Sequence, residues 1–144
     1  TTVTLRLLRT ESDILPVDRE TQFELSIASV PSGKVENQSV KVAMRSVFKL
    51  FWRPEGLPGD PLEAYQQLRW TRNSQGVQLT NPTPYYINLI QVSVNGKALS
   101  NVGVVPPKSQ RQTSWCQAIA PCHVAWRAIN DYGGLSATKE QNLP

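Results

Sequence analysis

The segment "SVKVAMRSVFKLFWR", residues 39–53, decides the fold that this sequence predicts. Its valines and aromatic residues are typical of β-strands, and its length is about twice that of an average strand. Lys49 lies among the apolar residues of "VFKLFW", residues 47–52. Because an unpaired buried charge is costly, the segment predicts one of two arrangements. Either the lysine lies on an exposed edge and discourages sheet aggregation, or another group supplies a counter-charge.

Strand-like segments recur along most of the chain. Residues 1–54 contain three predicted strands: "TVTLRLL", "TQFELSIASV" and the segment around Lys49. From residue 60 onward the sequence predicts about seven short strands, the spacing of an antiparallel immunoglobulin-like sandwich. Eleven prolines oppose long helices, and only "PLEAYQQ" favours a single helical turn. Three strands are too few to cover a core, so the first part is expected to be incomplete or to lean on other residues.

Composition argues against several classes of function. The net charge of +4 divides into +2 for residues 1–54 and +2 for residues 55–144, without the basic stripe that nucleic-acid binding needs. No apolar run approaches the roughly 20 residues of a membrane span, and the first residues lack the features of a signal peptide. The single histidine, His123, has no nucleophile elbow or phosphate loop to accompany it. We therefore predict no catalytic site and no cofactor.

The two cysteines, Cys116 and Cys122, have five residues between them in "WCQAIAPCH". In an oxidising compartment this spacing favours a small loop closed by a disulfide. A zinc site formed with His123 is an alternative, although a closed zinc site needs four ligands and the chain has no further cysteine or histidine. Two unrelated thiols are the third possibility.

Four unusual strings occur in order along the chain: "LPVDRETQFELSIASVP", "FKLFWRPEGLPG", "NPTPYYINL" and "AINDYGG". They resemble the signature segments of the periplasmic chaperones of the chaperone–usher pilus pathway, a family with two immunoglobulin-like domains and a cleft between them. The resemblance implies that residues 1–54 are the last strands of an incomplete N-terminal domain. Residues 55–144 are then the complete C-terminal domain.

The resemblance also implies roles for particular residues. Lys49 matches the cleft lysine that binds the C-terminal carboxylate of a pilus subunit. An apolar row on the same segment matches the donor strand that fills a groove in that subunit: Val40, Val42 and Met44. Three charges match an ion network that fixes the two domains relative to one another: Glu20, Arg53 and Asp131. Lys49 is an odd number of residues from each member of the apolar row, so on a flat strand it would face the opposite side. A twist or a bulge would be needed to point all four side chains the same way.

The function implied is that of a non-enzymatic assembly chaperone in the periplasm of a Gram-negative bacterium. Its partners would be pilus subunits and an outer-membrane usher, with neither a metal nor a cofactor. Exposed strands in residues 1–54 also predict self-association. The alternative from a different class is a structural immunoglobulin-like adhesion or pilus module that binds no client.

Overall fold

A computed structural model of the chain describes residues 2–10, 14–33, 40–117 and 121–144. Its N-terminal part is a two-stranded antiparallel sheet, the hairpin, formed by β1 (Thr21–Ser29) and β2 (Met44–Trp52). The pairing is continuous, with Thr21 opposite Trp52 and Ser29 opposite Met44. Alternate residues therefore face opposite sides of the hairpin along its whole length.

Two expectations for this part were wrong. Residues 2–8, "TVTLRLL", do not form a strand, because alternation marks a face and a strand also needs a neighbour with which to form hydrogen bonds. The predicted long strand over residues 39–53 is shorter, since β2 begins at Met44. There β1 reaches its end at Ser29, and residues 40–43, which directly precede Met44, are not in a strand.

The remainder of the described chain is an all-β sandwich, as predicted. A short 3-10 helix (Ala64–Gln67) occupies the position expected for the helical turn. One sheet contains three strands in the order β3-β4-β8, and the other has the order β10-β9-β5-β6 with β7 paired to β5. Their bounds are β3 Arg69–Asn73, β4 Gly76–Asn81, β5 Ile87–Val94, β6 Lys97–Leu99, β7 Val104–Val105, β8 Ser109–Thr113, β9 Cys122–Ile129 and β10 Lys139–Leu143.

The core lies between these two sheets. Val77 and Leu79 of β4 face Val124 and Trp126 of β9, and all four side chains are almost completely buried. Trp126 also donates a hydrogen bond from Nε1 to the carbonyl oxygen of Tyr65 at 2.9 Å, which ties the 3-10 helix to the core. The sandwich is therefore a complete hydrophobic unit.

The hairpin has no comparable core. One of its faces carries a row of large apolar side chains that are substantially exposed: Phe23 is 42% exposed and Phe48 is 52% exposed. Leu7 and Leu8 lie beside this face and border a cavity of about 350 Å³ together with Phe23 and Trp52. The hairpin therefore leaves one apolar face open among the described residues.

Candidate functional site

Lys49 lies on the hairpin face opposite the apolar row. It stands directly across from Glu24 and shares its face with Val47 and Phe51. The side chain is exposed, and among the described residues no hydrogen bond or ion pair to its ammonium is found. The lysine is therefore available to an anionic group from outside this part of the chain.

This face of the hairpin forms one wall of a cleft with a volume of about 880 Å³. The opposite wall belongs to the sandwich and consists of the beginning of β5 and the turn between β9 and β10. The walls combine charged, aromatic and amide side chains: Glu20, Lys49, Phe51, Arg53, Tyr85, Tyr86, Asn88, Asn130 and Asp131. The cleft therefore combines apolar surface with a few convergent polar groups, the composition typical of ligand-binding sites.

Arg53 joins the hairpin to the sandwich at the base of the cleft. Its Nε donates to Glu20 Oε2 at 2.9 Å, while Nη1 and Nη2 donate to the two oxygens of Asp131 at 2.7 and 2.8 Å. The second pair is bidentate, the strong geometry for arginine and a carboxylate. The structure thus brings together the three charges that the resemblance had grouped.

Burial differs across these three charges. The Glu20 side chain is only 3% exposed, whereas that of Arg53 is 36% exposed and that of Asp131 is 46% exposed. The hydrogen bonds from Arg53 hold the pKa of Asp131 below its usual value, and they raise the pKa of Arg53 itself. Both groups therefore remain charged through the neutral range.

Glu20 also ties the hairpin to the sandwich through backbone groups. Its amide donates to the carbonyl oxygen of Pro84 at 2.9 Å, and its Oε1 accepts a hydrogen bond from the amide of Tyr86 at 2.6 Å. The rings of Phe51 and Tyr86 lie 5.2 Å apart. One buried carboxylate therefore satisfies both a guanidinium and a backbone donor, which is the condition for burying a charge.

The turn at residues 130–134 presents Asp131 to Arg53. The side-chain oxygen of Asn130 accepts hydrogen bonds from the amides of Tyr132 and Gly134 at 3.0 and 2.9 Å. Gly133 has a φ of +76°, a conformation that glycine adopts without a steric penalty. The string "INDYGG" thus encodes a turn that holds its aspartate in a fixed position.

The predicted donor row occupies the start of β2 and the residues before it. Val40, Val42 and Met44 are 89%, 66% and 67% exposed. Only Met44 lies within β2. The register from Met44 to Trp52 contains no shift, so no bulge turns Met44 toward the side of Lys49. The two lie on opposite faces of the strand.

Cys116 and Cys122 form a disulfide with a Cα–Cα distance of 6.0 Å, which excludes the alternatives of a zinc site and of two free thiols. His123 instead contacts Asn142 of β10, with Nδ1 2.6 Å from Asn142 Oδ1. The described residues contain no cluster of potential metal ligands. The disulfide borders a depression with Arg72 and Leu143 and lines no part of the cleft.

Sequence reasoning missed the polar group beneath the cleft. Asn81 is fully buried, and its Nδ2 lies 2.8, 3.2 and 2.9 Å from the carbonyl oxygens of Tyr85, Val105 and Pro106, which share its two hydrogens. The hydroxyl of Thr83 donates to Asn81 Oδ1 at 2.7 Å. The signal was a polar residue pair interleaved with prolines in "NPTPYY", since these residues favour turns braced by side chains.

Two family models match the chain. The model of the C-terminal domain of the pili assembly chaperone PapD matches residues 63–140, and the model of the N-terminal domain of PapD-type pili and flagellar-assembly chaperones matches residues 1–58. The chain belongs to the pili assembly chaperone family. No described helix is long and apolar enough to cross a membrane.

Curated relatives agree with this assignment. The chain is 98% identical over 144 residues to the fimbrial chaperone YcbF of Escherichia coli strain K12, and this match covers all of the chain and 61% of that protein. It is 34% identical over 136 residues to the chaperone protein FimC of the same strain, with 92% of the chain and 56% of FimC covered. The chain thus spans little more than half the length of these relatives.

Solved structures give the same fold. The E. coli chaperone DraB matches with a TM-score of 0.75 and 30% identity, covering 90% of this chain and 62% of DraB. A chain from the complex of the Salmonella enterica SafA pilin with the SafB chaperone matches with a TM-score of 0.74 and 28% identity, covering 90% of this chain and 62% of that one. These likenesses confirm the predicted immunoglobulin-like fold class.

Proposed function

We propose that this chain is part of a periplasmic chaperone that binds pilus subunits by donor-strand complementation and delivers them to an outer-membrane usher. In this proposal residues 1–54 are the last strands of the N-terminal domain, and residues 55–144 form the C-terminal domain. No catalytic step or cofactor is involved. The observation that carries the proposal is Lys49, whose exposed ammonium borders the cleft without a counter-ion among the described residues.

The chemistry of the cleft supports a carboxylate as the group that Lys49 binds. The other cation among the described residues that line the cleft, Arg53, already carries two carboxylate partners, so Lys49 is the cation there that has none. A charge-assisted hydrogen bond is about twice as strong as a neutral one. A chain end bound there would also fix the register of a strand added along β2.

The exposed row of Val40, Val42 and Met44 supports strand addition. Three apolar side chains at alternate positions, each at least 66% exposed, suit a hydrophobic groove on a partner that lacks one strand. Main-chain hydrogen bonds would supply affinity, and the alternate side chains would supply specificity. The SafA–SafB complex among the structural relatives is consistent with a pilin as the partner.

The test uses the chain extended to the full length of its relatives. A synthetic peptide with the sequence of a subunit's C-terminal strand is prepared with a free carboxylate and, separately, with an amidated end. We expect the carboxylate form to bind more tightly, and Lys49→Ala to remove this preference. Lys97→Ala, which alters an exposed lysine of β6, is the matched control. Equal affinity for both peptides in the unsubstituted protein would refute the assignment of Lys49.

A second variant separates the chaperone from the alternative of a structural module. Val42→Asp places a charge in the proposed dry groove and should strongly reduce subunit capture in a pull-down, while Ala43→Asp, at the neighbouring exposed position, should reduce it much less. If Val42→Asp captures subunits as well as the unsubstituted protein, the row does not enter a partner. The structural module would then be the better description.

A further inference from the structure

The linker between hairpin and sandwich is held by one tyrosine. Residues 54–61 connect β2 to the sandwich, and the Tyr85 hydroxyl lies 3.3 Å from the carbonyl oxygen of Leu57 and 3.1 Å from that of Gly59. A hydroxyl has one hydrogen to donate, so these two linker carbonyls share it. Tyr85 is 3% exposed, and both hydrogen bonds are partly buried.

Tyr85 is itself held from below by the sandwich. Its carbonyl oxygen accepts a hydrogen bond from Asn81 Nδ2 at 2.8 Å, and the guanidinium carbon of Arg53 lies 5.5 Å from the centre of its ring. The backbone of Tyr85 is thus bonded to the fully buried asparagine, while its ring contacts the arginine that joins hairpin to sandwich. Its hydroxyl reaches the linker.

We propose that Tyr85 is a positioning residue, whose hydroxyl fixes the hairpin against the sandwich through hydrogen bonds to the linker that are separate from the Glu20–Arg53–Asp131 ion pairs. It sets the orientation of the cleft walls, and thereby the position of Lys49 relative to the sandwich. The effect of this orientation on partner binding rests on the proposed function. The orientation itself does not depend on any partner.

The ion pairs of Arg53 and the hydrogen bonds of Tyr85 respond differently to added salt. Ion pairs that are partly exposed weaken as salt is added, because the screening length falls from about 8 Å at 0.15 M to about 3 Å at 1 M. A hydrogen bond between neutral groups, such as that of Tyr85 with the linker, is not screened in this way. Burial also raises the pKa of the Tyr85 hydroxyl, which keeps it a donor through neutral pH. High salt should therefore leave Tyr85 as the main determinant of orientation.

The experiment measures the distance between hairpin and sandwich by electron spin resonance on this 144-residue chain. Spin labels are attached through Ser29→Cys at the exposed end of β1 and Ala98→Cys on the exposed β6; both native cysteines are in the disulfide and do not react. The distance distribution is recorded at low salt and in 1 M NaCl. Tyr85→Phe removes only the hydroxyl, and Tyr65→Phe, in another buried tyrosine of the sandwich, is the matched control.

We expect a narrow distribution for the unsubstituted chain and for Tyr65→Phe at both salt concentrations. In Tyr85→Phe the ratio of docked to undocked molecules should fall about fivefold, the usual effect of one net hydrogen bond, and the broadening should be greatest at high salt. A distribution in Tyr85→Phe that matches the unsubstituted chain at both concentrations would overturn the proposal. Loss of the sandwich fold would overturn it too, because the hydroxyl would then be needed for folding instead of orientation. Since no partner is present, failure here is distinguishable from failure of the proposed function.

Discussion

Removing the charge of Glu20 tests how strongly the hairpin is attached to the sandwich. In Glu20→Gln the side-chain carbonyl can still accept the hydrogen bond from the Tyr86 amide, now 2.6 Å from Oε1. The side-chain amide group would then face Arg53 Nε in place of the carboxylate oxygen at 2.9 Å. Two donors would oppose each other, and Arg53 would keep only its bidentate pair with Asp131.

The expected loss of docking free energy follows from the type of hydrogen bond that Glu20 makes with Arg53. A hydrogen bond to a charged group contributes about 1.5–3 kcal/mol, and the 3% exposure of the Glu20 side chain places this one within that range. A loss of about 2 kcal/mol corresponds to a change of about 30-fold in the equilibrium between docked and undocked hairpin. The affected quantity is the docking of the hairpin, and the global stability of the sandwich should change little.

Amide hydrogen exchange gives a direct readout of docking. The amides of Tyr86 and residue 20 bond across the junction, so undocking exposes both to solvent, and their exchange should accelerate by about 30-fold in Glu20→Gln. The amide of Leu89, which bonds to Gly103 within the sandwich, should not change. Glu24→Gln, in an exposed carboxylate of β1, is the control. Unchanged exchange at both junction amides would show that the ion pairs do not hold the hairpin.

Three further predictions concern pH, the disulfide and association. Since the hydrogen bonds from Arg53 lower the pKa of Asp131, the contribution of this carboxylate to docking is complete at neutral pH and is lost as pH falls through its lowered folded-state pKa. Exchange of the Tyr86 amide, corrected for the intrinsic effect of pH on exchange and compared with Asp131→Asn, measures this loss. The Cys116–Cys122 disulfide should stabilise the chain by about 2 kcal/mol, from the chain entropy of a seven-residue loop; urea unfolding with and without reductant tests this, and two free thiols in unreduced protein would contradict it. The open apolar hairpin face, with Phe48 52% exposed, should cause self-association that light scattering detects at rising concentration, and a strictly monomeric chain would contradict it.

The sandwich could be predicted because local pattern determines most of it. "GVQLTN" corresponds residue for residue to β4 (Gly76–Asn81), and its alternation matches the burial of Val77 and Leu79. The disulfide could be predicted for a similar reason, since its two cysteines are only six positions apart in the sequence. In both cases the interacting groups are close in sequence or are repeated with a regular period.

The site could not be derived in this way. Arg53 is 33 residues from Glu20 and 78 from Asp131, and no periodicity relates positions on three different segments. Family resemblance grouped these charges, whereas nothing in the sequence reasoning indicated Tyr85 or Asn81. Their roles depend on backbone carbonyls of the linker and of β7, and acceptors of that kind leave no trace in residue identity.

Met44 and Lys49 point to opposite faces of β2, which has a physical consequence for any strand that binds along β2. Lys49 is five positions after Met44, a distance of about 17 Å at 3.4 Å per residue, and the unshifted register keeps the two side chains on opposite faces. The face of Lys49 looks into the cleft, while that of Met44 continues the exposed apolar row. We infer that one added chain would meet both: its body would accept the apolar row on one face of the new sheet, and its end would enter the cleft on the other. A bulge is therefore unnecessary, because the lysine and the row would contact different parts of the partner.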